Sequence, residues 1–328
     1  MDVRSLPARV VMVLQPTTSS RDPAVRRQQR RPRPRSGTPP LKHGGWVAAA
    51  FLAPLLIFYG IYYLYSFGIL GVVSTQRVGL TFRNAVDVGT QNFTLVLGDP
   101  SFQKSLLNTV MFGLFSVLVS MTLGFVLAMM LASGVRMRRL FYTVFLLPSL
   151  IPMSLFATVF GRMLETRDGA INQGLRAIGL GWLAPDWLGN PAAAYVAVAI
   201  LLTYGIGLPI MYYTTDVAQV NASIVESALL EGASVWQIYR IMLFPLLRTT
   251  HITVALSVIL GSFRAFDVIY FSTGGQPGGR TDIVGTYIYS ATLGANRVGF
   301  AAAASIIVLV VALGISVLQL ISRREAER

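Results

Sequence analysis

Long apolar runs alternate with polar stretches of unequal length along this chain. The runs cover about residues 46–73, 106–132, 141–160, 192–213, 252–271 and 300–321. Each matches the roughly 20 residues that a helix needs to cross a bilayer. The pattern predicts an all-α, polytopic membrane protein with six transmembrane helices. Pro54, Pro148 and Pro152 fall inside runs, which a membrane helix tolerates when neighbouring groups satisfy the freed backbone. Tyr59, Tyr62, Tyr63 and Tyr65 suit an interface belt or a polar pathway. The stretches 74–105 and 165–191 are long and polar, and no internal repeat is visible.

Composition agrees with that pattern. The chain of 328 residues is 54% hydrophobic and 12% charged, against about 25% charged in soluble domains. Its formal charge is +13, and much of the excess lies in Arg21, Arg26, Arg27, Arg30, Arg31, Arg33 and Arg35. Interleaved with proline and glutamine, these residues predict a disordered basic tail over residues 1–43. Residues 44–328 then form the transmembrane domain. No aromatic residue interrupts the tail, so a stacking platform for nucleic acid is missing. With no cysteine and two histidines far apart, neither a disulfide framework nor a thiolate metal site is expected. The apolar cluster at Val10–Leu14 is too short for a cleavable signal.

Six spans put the tail, Arg136, Arg138, Arg139, Arg240, Arg248, Arg323 and Arg324 on one side. The opposite side carries Arg77, Arg83, Lys104, Arg167, Arg176, Arg280 and Arg297, diluted over longer loops. Basic residues in short loops mark the cytoplasmic side. Both termini are therefore expected in the cytoplasm, with the chain a multi-pass protein of the cell (inner) membrane.

One polar loop, at about 217–248, differs from the others. Its segment ASIVESALLEGASVWQIYRIMLFP reads as a short helix, a turn at Gly232, and a second short helix stopped by Pro245. It resembles the EAA loop of the permease subunits of bacterial ABC importers: Glu-Ala-Ala, three residues, Gly, nine residues, Ile, any residue, Leu-Pro. The matching positions are Glu226, Ser227, Ala228, Gly232, Met242, Phe244 and Pro245. Ser227, Met242 and Phe244 depart modestly, while the spacing survives. The resemblance implies a coupling helix that docks on an ATP-hydrolysing subunit. An ordinary amphipathic loop on the membrane surface is the plainer alternative.

The fifth run holds two charges, Arg264 and Asp267, whose spacing of three puts them on one helix face where they can pair. At 1.5 Å per residue Arg264 lies about 10 Å below the end of the run. Such groups face a cavity or each other, so a polar lining and a mutually neutralising pair both remain open. The surrounding sequence GSFRAFDVIYFSTGGQPGG resembles a segment of carbohydrate importers, through Phe263, Arg264, Phe266, Asp267, Ile269, Tyr270, Thr273, Gly274 and Gly275. Further likeness lies in Phe102, Ser105, Asn108 and Thr109, in DGAINQGL before a Trp-Leu pair, and in Tyr287-Ile288-Tyr289 and 299–303. The resemblance implies the first permease of a heteromeric pair. Asn108, Arg264, Asp267 and Tyr270 become the candidate translocation path. The glycosylation pattern at Asn92-Phe93-Thr94 is cheap and is discounted.

The chain has no phosphate-cradling Gly-x-x-x-x-Gly-Lys-Ser/Thr loop, and no catalytic or metal-ligand cluster. No cofactor is expected in this chain, and it is not expected to be an enzyme. ATP and Mg belong on a partner ATP-binding cassette ATPase dimer. The resemblance also implies a second permease subunit, an extracytoplasmic solute-binding protein and membrane lipid as partners. The expected solute is a sugar or sugar-like compound; glycerol-phosphate, polyamine and phosphate remain alternatives. A channel or an intramembrane enzyme would need a filter-like ring or a catalytic cluster. A membrane scaffold would not need the Glu226-to-Gly232 spacing.

Overall fold

A computed structural model describes residues 44–133 and 135–326. The basic tail expected over residues 1–43 lies outside them. Helix α1 (Gly44–Ser74) contains Pro54 without a break. It is exposed along nearly its whole length, and only its last turn, Val73 and Ser74, is buried. A small antiparallel hairpin follows, β1 (Gln76–Arg77) with β2 (Val86–Asp87), pairing Gln76 with Asp87 and Arg77 with Val86. Then comes α2 (Gln91–Gly98). Asn92 on α2 is buried, and its amide nitrogen donates to the carbonyls of Ser74 (2.8 Å) and Gln76 (2.9 Å). The side chain is thus a structural clasp, which agrees with discounting it as a glycosylation acceptor.

Helix α3 (Pro100–Ala132) starts six residues before the expected run, because Asp99 caps it and Pro100 begins it. The Asp99 carboxylate accepts from the Ser101 N–H at 2.8 Å. The third run is not a straight span. Helix α4 (Arg138–Leu146) continues as a 3-10 turn to Leu150, and α5 (Met153–Met163) leaves it at 93°. Pro152 causes the bend: the preceding Ile151 is extended at ψ 132°, as residues before proline usually are. Helix α6 (Ala170–Ala177) lies in the following polar loop.

Helix α7 (Pro191–Leu201) and helix α8 (Gly207–Val217) together make the fourth span, with a tight turn between them. Two loop helices follow, α9 (Ala222–Leu230) and α10 (Val235–Leu246). The fifth run is α11 (Arg248–Ser262), interrupted at residues 263–265, then α12 (Phe266–Ser272). Helix α13 (Val284–Tyr289) sits in the last polar stretch, and α14 (Val298–Ala326) ends the described chain. Four helical stretches are long and apolar enough to cross a membrane, and bent pairs bring the number up to six.

The core forms where small residues let helices approach. Helix α3 is central, packed against α11 and α8, and α5 packs against α12. Close approach of small residues replaces the hydrophobic drive that lipid cannot supply. The hairpin is locked onto α14 in the same way: a Cβ on Gly299 would lie 1.7 Å from the Gln76 carbonyl oxygen.

Candidate functional site

The loop between the fourth and fifth spans folds as two helices with well-formed ends. Asn221 caps α9, its side chain accepting from the Ser223 N–H at 3.1 Å. At the other end the Ala233 N–H reaches the Ala228 carbonyl (3.0 Å) and the Gly232 N–H reaches Leu229 (3.1 Å). That pair of bonds is a Schellman cap, which requires a left-handed residue. Gly232, at φ +85°, supplies it. Ser234 then opens α10 with a reciprocal cap: the Gln237 N–H donates to its hydroxyl and its own N–H donates to Gln237 Oε1 (2.7 Å). The expected turn at Gly232 is therefore a stop and a restart within three residues.

Pro245 does not stop the second helix as expected. The backbone widens to a π turn over Ile238–Leu243 and the helix runs through Pro245 to Leu246. The break falls at Leu247, whose φ/ψ of −89°/20° leaves the helical region. Helix α11 departs there at 69°.

The motif residues divide by face. Ala228 is buried with Val225, Ile238, Leu243 and Leu247 against Ala128, Met129, Tyr213 and Val217, and Met242 packs on the same cluster. Glu226 is half-buried, and Ser227 and Gly232 are exposed. Leu230 and Trp236 are exposed at 90% and 68%, far more than their apolar surface favours in water. The loop thus grips the spans with one face and leaves Leu230 exposed one helical turn from the Glu226 carboxylate, while Trp236 is exposed at a cavity against α3. Phe244 lies on the His251 ring, centroids 4.3 Å apart.

The four candidate path residues do not form one cluster. Asn108 donates to the carbonyls of Arg280 (3.0 Å) and Asp282 (2.8 Å). Thr109 accepts from the Val284 N–H (3.1 Å), and Lys104 donates to the Gly278 carbonyl (2.9 Å). These residues of α3 clamp the glycine-rich loop after α12. Nearby, the Tyr287 hydroxyl donates to Asp99 at 2.6 Å, with its ring against Phe102. Burial works to raise the Asp99 pKa, but the bonds from Tyr287 and Ser101 outweigh it and hold the carboxyl below its ordinary value. At Asp282 burial wins, and its pKa is raised despite Thr286 and Lys104.

Arg264 and Asp267 do not pair. Among the described residues the one ion pair is Arg162–Glu165, at 2.6 Å. The break at residues 263–265 destroys the helical register that a spacing of three assumes. Asp267 instead enters the first turn of α12, where free N–H groups favour an acid. Arg264 lines a cavity of about 440 Å³ with Ser305 and Ser316 of α14. Tyr270 stacks on Phe266 and shares a 3.0 Å hydrogen bond with Tyr289.

Among the described residues the chain has four to six candidate spans and a capped two-helix loop, and the family match identifies the class. The chain belongs to the family described as binding-protein-dependent transport system inner membrane component, whose model matches residues 120–327. It is similar to the probable ABC transporter permease protein YurN of Bacillus subtilis (strain 168): 27% identical over 273 residues, 82% of this chain and 93% of the relative. It is also similar to the lactose transport system permease protein LacF of Rhizobium radiobacter: 28% identical over 289 residues, 86% of this chain and 94% of the relative. In fold it matches the crystal structure of a bacterial ABC transporter involved in the import of the acidic polysaccharide alginate. The TM-score is 0.72 at 24% identity, covering 85% of this chain and 96% of that one.

Proposed function

We propose that this permease subunit carries a sugar or sugar-like solute across the inner membrane, as the first of two different permeases. Energy comes from an ATPase dimer, with ATP and Mg bound there, docked on α9 and α10. Solute arrives from an extracytoplasmic binding protein, and both termini lie in the cytoplasm. The observation that carries this reading is the two-faced loop: Ala228 and Met242 hold the spans, while Glu226 and the exposed Leu230, one turn apart on α9, are left for a second protein. An exposed apolar residue beside a charge suits a helix lying in a groove. Closure of the ATPases would then move the loop, and coupling requires that the loop bind their two states with different affinity.

For the solute, the names of relatives such as the lactose permease support the carbohydrate reading. Arg264, Asp267 and Tyr270 are the proposed solute-facing residues; of these, Arg264 borders a cavity between the fifth span and α14. Asn108 serves the path indirectly, by fixing the loop after α12.

The test is reconstitution in liposomes with a cognate ATPase, second permease and binding protein. ATP-dependent uptake of a labelled oligosaccharide is expected. Uptake of a polyamine or phosphate instead would overturn the solute, and an ATPase that assembles equally well on a chain lacking residues 222–246 would overturn the docking.

A further inference from the structure

The 69° elbow between α10 and α11 is tied by one side chain. Leaving the helix at Leu247 strands the last carbonyls of α10, as any helix end does. The Leu247 N–H still reaches Leu243 O at 3.0 Å. The next carbonyl, that of Phe244, is taken by His251 Nε2 at 2.9 Å. A carbonyl only accepts, so Nε2 carries the hydrogen and Nδ1 is left as an acceptor. The Tyr213 hydroxyl of α8 donates to it at 2.7 Å. His251 is only 9% exposed and Tyr213 is fully buried. Phe125 of α3 closes the cluster, with its ring centroid 6.0 Å from that of His251.

Three spans and the loop therefore meet on one imidazole. Packing alone does not fix the loop helix. A cavity of about 540 Å³ lies between α10 and α3, lined by Trp236, Tyr239, Arg240 and Phe244 on one side and Met121 and Phe125 on the other. On that side α10 has room to tilt, and the bond to the Phe244 carbonyl opposes the tilt.

We infer that His251 is a positioning residue for transport: it caps the loop helix from inside the fifth span, sets the elbow, and makes loop and spans move as one lever. Tyr213 holds its tautomer. This inference rests on the coupling reading of the loop, and the experiment separates the two. The chain carries no cysteine, so spin labels at Arg240→Cys and Ser257→Cys report the elbow directly in the assembled transporter. His251→Phe keeps a ring and loses both bonds; His251→Gln presents an amide that can donate to Phe244 O and accept from Tyr213.

His251→Phe is expected to broaden the label distance and to lower uptake per ATP hydrolysed by about fivefold or more, the scale of a typical coupling between sites. His251→Gln is expected to restore both. A sharp, unaltered distance in His251→Phe overturns the inference, as does a Gln variant that stays broad. A broadened distance with an unchanged uptake-to-hydrolysis ratio leaves the elbow contact standing and overturns the transport role of His251, whereas an ATPase that does not need residues 222–246 to assemble overturns the coupling reading of the loop instead. Should His251→Phe fail to assemble, Tyr213→Phe carries the same measurement, and an unaltered distance there overturns the inference.

Discussion

Asn172 and Trp187, fifteen residues apart, are joined by a 2.8 Å hydrogen bond from the indole N–H to the amide oxygen. The Asn172 nitrogen donates in turn to the carbonyls of Thr166 and Pro185. A fully buried amide with every polar atom used costs more to remove than it contributes. Asn172→Leu strands the Pro185 carbonyl and the Trp187 N–H, while the Thr166 carbonyl keeps Arg176, and should sharply lower membrane abundance. Trp187→Phe strands only the amide oxygen, a loss of about 1–3 kcal/mol. Melting temperatures in detergent rank the two, and equal values would contradict the network.

Gly232 tests whether conformation or contact limits the loop. An added Cβ there would meet nothing within 4 Å, so in the free subunit the cost is backbone alone, about 1–2 kcal/mol. Thermal stability should fall in the order Gly, Asn, Ala, Val, because Asn best tolerates a left-handed backbone. If uptake follows side-chain volume instead, with Asn worse than Ala, the docked ATPase fills that space.

Glu226→Lys reverses the charge one helical turn from the exposed Leu230. Co-purification of the ATPase should weaken, and most at low salt, where screening is least. Recovery of the same amount of ATPase at every ionic strength would remove Glu226 from the contact.

Arg264 and Asp267, unpaired across the break, should behave independently. The stability losses of Arg264→Met and Asp267→Leu should add within about 0.5 kcal/mol in the double variant. A double variant more stable than either single one would restore the ion pair.

The bond from Tyr287 to Asp99 makes a pH prediction. A carboxyl held below its unfolded value of about 3.9 contributes stability above that pH and loses it as pH falls through the folded value. The stability gap between wild type and Tyr287→Phe should thus be full at pH 7 and shrink below pH 4, as followed by thermal unfolding. A gap independent of pH would show that the hydroxyl does not act through the ionised Asp99 carboxyl.

Much of the architecture was legible because lipid demands long apolar helices. The loop motif was legible because Gly232 must be left-handed and Ala228 must be small. What escaped was whatever depends on a break. Pro152 signalled a bend without its angle, and Pro245 signalled a stop that the π turn over Ile238–Leu243 carried two residues further. Nothing in the letters around Phe263 and Ala265 announced that the helix would lapse there, so a spacing of three suggested an ion pair that does not form. In the sequence Asn108 reads as a path residue, and Thr109 only as part of the likeness to carbohydrate importers. Their carbonyl and N–H partners lie more than 170 positions away, on a loop whose course no local pattern encodes. His251 drew attention only as a histidine without metal-ligand spacing; its role needed the elbow to be seen.

The first span, α1, has the last span, α14, as its main neighbour. The hairpin after α1 lies so close to α14 that Gly299 admits no side chain. During synthesis the N-terminal helix thus enters the membrane long before its docking site exists. It must remain unattached in the bilayer until everything from Ser74 to Val298 has been made and inserted. A ribosome that stalls anywhere before α14 leaves a chain whose opening helix has nowhere to settle. Among the described helices, the one that enters the membrane first is therefore expected to settle last.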